Sequence, residues 1–261
     1  TVLHTRSDSF GSTRSPLQVG AELYGHAGVE SDVEILDLML KSFEVAGVDP
    51  IFLDLGNVDI YRKLAQLAGL DQRDEIRLFE LLQQKAVTEI RQLVEALGLD
   101  SALVNMMTEL AALNGDLSTI SRARQSLAPA GQAVMAAVDY LEQVALGVSR
   151  HNKGVRLNID LAELHGYHYH TGVVFGAFVP QRGQEIARGG RYDDIGRIFY
   201  KFVRKLTDVH QTVLMNADID GLLKLEKRLK RFSQDVPSLW TPDNLFATLI
   251  KNGKRFGSLN V

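Results

Sequence analysis

A chain of 261 residues with 45% hydrophobic residues can bury one large core or two modest ones. Its net charge of −3 and pI near 6.2 exclude the whole-chain basic excess that dominates phosphate binding, so nucleic acid is not expected as a partner. The absence of cysteine excludes disulfides and thiolate metal sites and fits a reducing, cytoplasmic setting; no apolar run reaches the roughly 18 residues of a membrane helix, so no membrane association is expected.

Residues 1–6 (TVLHTR) already alternate like a strand, so the chain reads as starting inside a fold. Residues 7–15, rich in Ser, Asp, Gly and Thr, read as a loop. Leu17, Val19, Ala21 and Leu23 then alternate with Gln18, Gly20, Glu22 and Tyr24, which predicts a strand with Gln18, Glu22 and Tyr24 on one face. On spacing alone that face reads as solvated; it is also a candidate row of binding groups. Ser31 with Glu34 forms a capping-box pattern, and Val33, Leu36, Leu40 and Phe43 give the helix its buried stripe as far as Gly47. Residues 51–55 (IFLDL) predict a short buried strand closing on Gly56 and Asn57.

From residue 58 to 150 the pattern changes to apolar residues at threes and fours, broken by Gly69, Gly98 and Gly115. This predicts several short helices, the last starting near Pro129 and ending near Gly147, with Met106 and Met107 as core filler. Val155, Leu157, Ile159 and Leu161 alternate again, which predicts that the sheet resumes. Val173 to Val179 is a nearly unbroken β-favouring run ended by Pro180. Tyr167, His168, Tyr169 and His170 precede it, and Gly189, Gly190, Arg191 and Tyr192 follow the expected return strand. The two rows should therefore meet at one end of a hairpin, with a Gly-Gly pair that lets backbone come close, as in a small-molecule pocket. Either row alone reads more readily as half-buried strand residues and a bulge. Beyond 199 the chain shows basic, helix-like patterns; Lys224, Lys227, Arg228, Lys230 and Arg231 read first as a solvated face and second as a phosphate contact.

Three stretches resemble motifs of histidyl-tRNA synthetases. LHGYHYHTG (164–172) is similar to that family's LVRGLDYYTG, EIARGGRYD (185–193) contains the equivalent of its AGGRYD, and LQVGAELYG (17–25) resembles the end of its motif 2, commonly HQFGVEVFG. LDLGNVDIYRKL at 53–64 is closer to a paralogous family in histidine biosynthesis, the ATP phosphoribosyltransferase regulatory subunits. Together the matches run over residues 2–196. They imply an α+β fold: the class II aminoacyl-tRNA synthetase-like antiparallel sheet flanked by helices. Its first part is expected at 1–57, a helical insertion at 58–150, the second part at 151–199 and an unassigned, mostly helical tail at 200–261. They also imply that the N-terminal part of that fold, with motif 1, is missing from this chain.

The departures from the synthetase pattern separate two activities. Amino-acid activation builds charge on the α-phosphate of ATP, and forked, permanently charged arginines suit that work. The alignment puts His4 at the motif 2 arginine and His165 at the LVRG arginine; a neutral histidine offers one donor in place of a fork. Losing one such group costs about 3–4 kcal/mol of transition-state stabilisation. The glycine-rich motif 3 with its arginine does not follow Asp193, and Gly253-Lys254-Arg255 lies too far along to replace it.

The amino-acid side of the site is retained better, which implies histidine binding by Gln18, Glu22, Tyr169, His170 and Tyr192, lined by His165, Gly189, Gly190 and Arg191. The change from tyrosine to His170 puts selectivity at that wall in doubt. The resemblance thus implies a non-catalytic regulatory subunit of ATP phosphoribosyltransferase, a glycosyltransferase, in a hetero-oligomer with the catalytic subunit. It would bind histidine for feedback control and activate that subunit, with no catalytic residues, cofactor or metal. A histidyl-tRNA synthetase-like adenylate enzyme and a scaffold with a dead pocket are the alternatives.

Overall fold

The structure, a computed structural model, describes residues 19–164, 166–167, 169–180 and 185–193. The chain divides into two compact units, Leu23–Ile198 and a second made of Thr1–Glu22 with Phe199–Val261. The basic runs beyond 199, with His4, Gln18 and His165, lie outside the described residues.

Helix α1 spans Val29–Val45 and buries Val33, Leu36 and Leu40, as its stripe predicts. Its start differs from the capping-box expectation. The N-cap is Gly28, in extended backbone, and Ser31 lies inside the first turn with its hydroxyl 2.7 Å from Nδ1 of His26. A Ser-x-x-Glu pattern is equally compatible with a first-turn serine when the turn before it supplies a partner, and here His26 does. The helix ends as expected at Gly47, whose φ of +68° lets its N–H reach the Glu44 carbonyl while Val48 N–H reaches that of Phe43.

Strand β1 (Phe52–Asn57) leads directly into α2 (Val58–Leu67), capped by Asn57, whose side chain accepts from Asp59 N–H. Helices α3 (Gln72–Gln83), α4 (Val87–Ala96) and α5 (Ser101–Leu110), a two-residue strand β2 (Asn114–Gly115) and α6 (Ser118–Leu127) follow. A 3₁₀ turn at Ala128–Ala130 holds Pro129 and leads into α7 (Gln132–His151). Gly147 is not at the end of α7 but inside it. A Cβ there would lie 2.6 Å from a Val33 methyl, so this glycine lets α7 pack closely against α1. Met106 and Met107 are buried in the core.

The sheet has the order β2-β3-β1-β4-β5, with β3 at Arg156–Asp160, β4 at Val173–Phe178 and β5 at Ala187–Gly190. Its pairs are antiparallel except β1 with β3, which run parallel from Phe52 beside Arg156 to Leu55 beside Ile159. The sheet is therefore mixed, because the helices between β1 and β3 return the chain to the end where β1 began. Leu53, Leu55 and Asn57 share the face that meets α7, where the Asn57 amide donates to the Ala137 carbonyl at 3.0 Å. One hydrophobic cluster joins this face with residues of α1 to α7, so the helical stretch 58–150 packs into the same core as the strands. The opposite face carries Asp54, Arg156, Asn158 and Arg188 and is half-open.

Residues 19–24, expected to form a strand, belong to no helix or ladder among the described residues, and Val19 is 93% exposed. Alternation makes a strand only where a neighbouring strand supplies ladder hydrogen bonds, and no such pairing involves these residues among those described.

Candidate functional site

The site is built at one end of the β4–β5 hairpin. The backbone enters it through a tight turn in which Gly166, at φ +66°, gives its carbonyl to the N–H groups of both Tyr169 and His170, each at 2.8 Å. Beyond this turn Thr171 N–H donates to Arg191 O at 2.7 Å, and Arg191 N–H donates to Val173 O at 2.8 Å. The side chains close the same join: the Thr171 hydroxyl donates to Asp193 Oδ2 and accepts from Asp193 N–H, both at 2.9 Å. Tyr169–His170 and Tyr192 are thereby held side by side.

Tyr169 and Tyr192 stack with ring centroids 5.0 Å apart at 28°, and His170 meets Tyr169 edge to face at 5.4 Å. Tyr24 completes the group from the chain before α1. Its ring stands edge-on to Tyr192 at 6.2 Å, and the two hydroxyls are hydrogen-bonded at 3.0 Å. Such a wall offers π faces to a flat ring and phenol groups that both donate and accept.

The two glycines lie within β5 rather than after it, Gly189 opposite Phe175 and Gly190 opposite Val174. A Cβ on Gly189 would lie 2.5 Å from the Phe175 ring. One on Gly190 would lie 2.8 Å from Cδ2 of His170 and 2.9 Å from Val173 O. The Gly-Gly pair thus lets the aromatic rings pack onto backbone.

Arg191 fixes the end of β5. Its guanidinium is 3.2 Å (Nε) and 2.9 Å (Nη2) from the two carboxylate oxygens of Asp32 in α1, and it donates to Gly28 O at 3.0 Å and Asp193 Oδ1 at 3.1 Å. Tyr140 of α7 donates to the same Asp32 at 2.9 Å, and its ring lies under the guanidinium. Burial raises the Asp32 carboxyl above its ordinary value although Arg191 and Tyr140 pull it down. Burial would lower Arg191, but Asp32 holds it above its ordinary range. The opposing senses mean that desolvation costs the carboxylate more than the pairing returns to it, as is usual for buried pairs.

The structure therefore brings Tyr169, His170, Tyr192, Gly189 and Gly190 together, with the Arg191 fork turned toward α1. Glu22 is exposed and belongs to the other unit. Sequence reading passed over Asp32 and Tyr140, since a first-turn acid and a mid-helix tyrosine carry no signal of their own. It placed Tyr24 with Gln18 and Glu22 but not beside Tyr192. A surface hollow at the start of α3, lined by Asp71, Gln72, Arg73 and Ile76, contains none of the expected residues. Among the described residues no cluster of His, Asp or Glu is suited to a metal ion, and no helix is long and apolar enough to cross a membrane.

The family model for histidyl-tRNA synthetase matches residues 1–205, and the chain belongs to that family. Within it, the ATP phosphoribosyltransferase regulatory subunit of Thioalkalivibrio sulfidiphilus is 56% identical over 199 residues, covering 76% of this chain and 50% of the relative. The chain spans about half the length of the curated relatives it matches. A solved Bacillus halodurans protein described as an ATP phosphoribosyltransferase regulatory subunit/histidyl-tRNA synthetase superposes with a TM-score of 0.58 at 24% identity, over 65% of this chain and 44% of that one. A chain of the ATP phosphoribosyl transferase (HisG:HisZ) complex from Thermotoga maritima superposes with a TM-score of 0.50 at 16% identity, over 63% of this chain and 57% of that one. At these identities the two structures show the fold, a synthetase-like mixed sheet flanked by helices.

Proposed function

We propose that the chain is the regulatory, non-catalytic part of an ATP phosphoribosyltransferase, a glycosyltransferase of histidine biosynthesis, and that it binds histidine as the feedback effector of the catalytic subunit it activates. The observation that carries this reading is the 56% identity to a protein of that name, combined with histidine at positions 4 and 165 where the synthetase pattern has arginine. The Thermotoga maritima complex pairs two different subunits, which supports a hetero-oligomer. In this reading the imidazole of the effector meets the wall of Tyr169, His170 and Tyr192, and Gln18 and Glu22 complete the site, Glu22 taking the ammonium group. His165, Gly189, Gly190 and Arg191 shape its lining.

Calorimetric titration with histidine tests the effector, and size-exclusion chromatography with the catalytic subunit tests the partner. Glu22→Gln keeps the shape and removes the charge, so it should weaken histidine binding at least about tenfold. An unchanged dissociation constant would remove Glu22 from the site, and no heat with the parent protein would remove the effector. Separate elution at micromolar concentration, with catalysis unchanged on mixing, would remove the partner. ATP- and histidine-dependent pyrophosphate exchange above background would instead establish an adenylate-forming enzyme.

A further inference from the structure

One guanidinium outside the aromatic group grips the turn that carries it. Nη2 of Arg62, on α2, donates to the carbonyls of Tyr167 at 3.0 Å and His170 at 2.8 Å, the two that bracket Tyr169. The same guanidinium lies 5.0 Å from the centroid of the Tyr167 ring. That ring is buried, with Tyr61 at 5.2 Å and Phe79 at 5.3 Å, and its hydroxyl donates to the Glu75 carboxylate of α3. Tyr61 donates to the Glu75 carbonyl at 2.6 Å, so the post beneath the turn is fastened to both helices. At the near end of α2, Val58 N–H donates to Gly172 O at 3.0 Å. Among the described residues α2 therefore holds the segment 167–172 through Val58, Tyr61 and Arg62, and of these Arg62 donates to the His170 carbonyl.

We propose that Arg62 is a positioning residue for the aromatic site: by holding the Tyr167 and His170 carbonyls against the Tyr167–Glu75 post, it keeps Tyr169 stacked on Tyr192 and sets the affinity for the ring of the effector. The proposal rests on the histidine-binding reading above for its ligand, but not for its geometry. Arginine suits the task because a flat guanidinium can stack on a ring and donate in its own plane at once. An ammonium group on a flexible stem keeps the charge but not that combination.

Two readouts test it on the full chain. The first is hydrogen exchange across residues 164–172 in the absence of ligand, and the second is calorimetric titration with histidine. Arg62→Met should raise exchange across 164–172 while leaving α4 to α7 protected, and should weaken histidine binding by about tenfold or more. Arg62→Lys should restore the thermal midpoint but not the local protection or the affinity, a split that a purely structural role would not give. If the Met variant fails to fold, Arg62→Lys and Tyr167→Phe, which keeps the ring and removes the hydroxyl that bonds Glu75, decide the matter by the same readouts. Full recovery of protection and affinity in Arg62→Lys overturns the proposal, as does unchanged exchange in Arg62→Met. If the parent protein takes up no histidine, the effector reading falls while the exchange result alone upholds or overturns the positioning role. Local exchange that rises with affinity unchanged overturns the link between the turn and the site.

Discussion

Arg191 and Asp32, 159 residues apart in sequence, form a forked ion pair that ties the end of the hairpin to the first turn of α1. Both side chains are nearly buried, at 11% and 13% exposure. A buried pair of this kind is costly to break from one side and inexpensive to replace from both. Arg191→Met should therefore lower stability by about 3–5 kcal/mol, and adding Asp32→Leu should recover most of the loss. Urea unfolding of the single and double variants checks this; a double variant no more stable than the single one would show that the pair contributes net stability.

Gly190→Ala tests how tightly the rings pack onto backbone. The added methyl would meet His170, the Val173 carbonyl and a Val174 methyl, all inside 3 Å. The carbonyl belongs to the ladder and cannot yield easily, so the cost should be about 1–3 kcal/mol, as for other overpacked sites. The change in thermal midpoint measures it, and a shift within error would mean that β5 can move away from β4.

Lys85 follows α3 with a positive φ of +51°, and its ammonium lies 2.6 Å from the buried carboxylate of Asp160. Glycine at this position would remove about 1 kcal/mol of backbone strain. It would also take the ammonium from the Asp160 carboxylate, which keeps its hydrogen bond from Ala162 N–H, a loss of about 1–3 kcal/mol or more. Lys85→Gly should therefore be net destabilising, and Asp160→Asn should reduce the deficit when combined with it. Denaturant midpoints decide, and a stabilised Lys85→Gly would show that strain outweighs the pairing.

Asp54 sits on the half-open face of the sheet. Burial raises its carboxyl above 3.8, opposed by the Asn158 amide, while Asp160 raises it further and Lys85 lowers it. Because the folded value is the higher one, protonation favours the fold. The stabilising contribution is complete below pH 3.8 and is lost as pH rises through the raised value. Asp54→Asn should then be more stable than the parent at pH 7, with the advantage shrinking as pH falls toward 3.8. Unfolding midpoints from pH 7 to pH 4 test the sign, and a less stable variant at pH 7 reverses it.

Most elements were legible in the sequence because their burial is local. The run at 173–178 forms β4, the stripe of α1 is buried, and 58–150 is mostly helical. What escaped depends on partners distant in sequence. Ser31 looks like a cap until His26 occupies its hydroxyl, Gly147 looks like a helix end until Val33 is set against it, and alternation at 17–23 carries no information about a neighbouring strand. The site divides in the same way. Tyr169, His170 and Tyr192 stand out by composition, whereas Arg62, Asp32 and Tyr140 are ordinary helix residues until the fold brings them to the hairpin.

The parallel pairing of β1 with β3 also determines how the molecule opens. Phe52 meets Arg156 only after every helix from α2 to α7 has been laid down, and closure of so long a span is entropically costly until packing along it returns the loss. Neither strand can keep its place once α7 leaves the Leu53–Leu55 face, so the centre of the sheet and the helices should exchange their amide protons as one cooperative unit. Among the described residues β5 is an edge strand paired with β4 alone, so it can loosen without the centre of the sheet, and Tyr192, which follows it, leaves Tyr169 when it does.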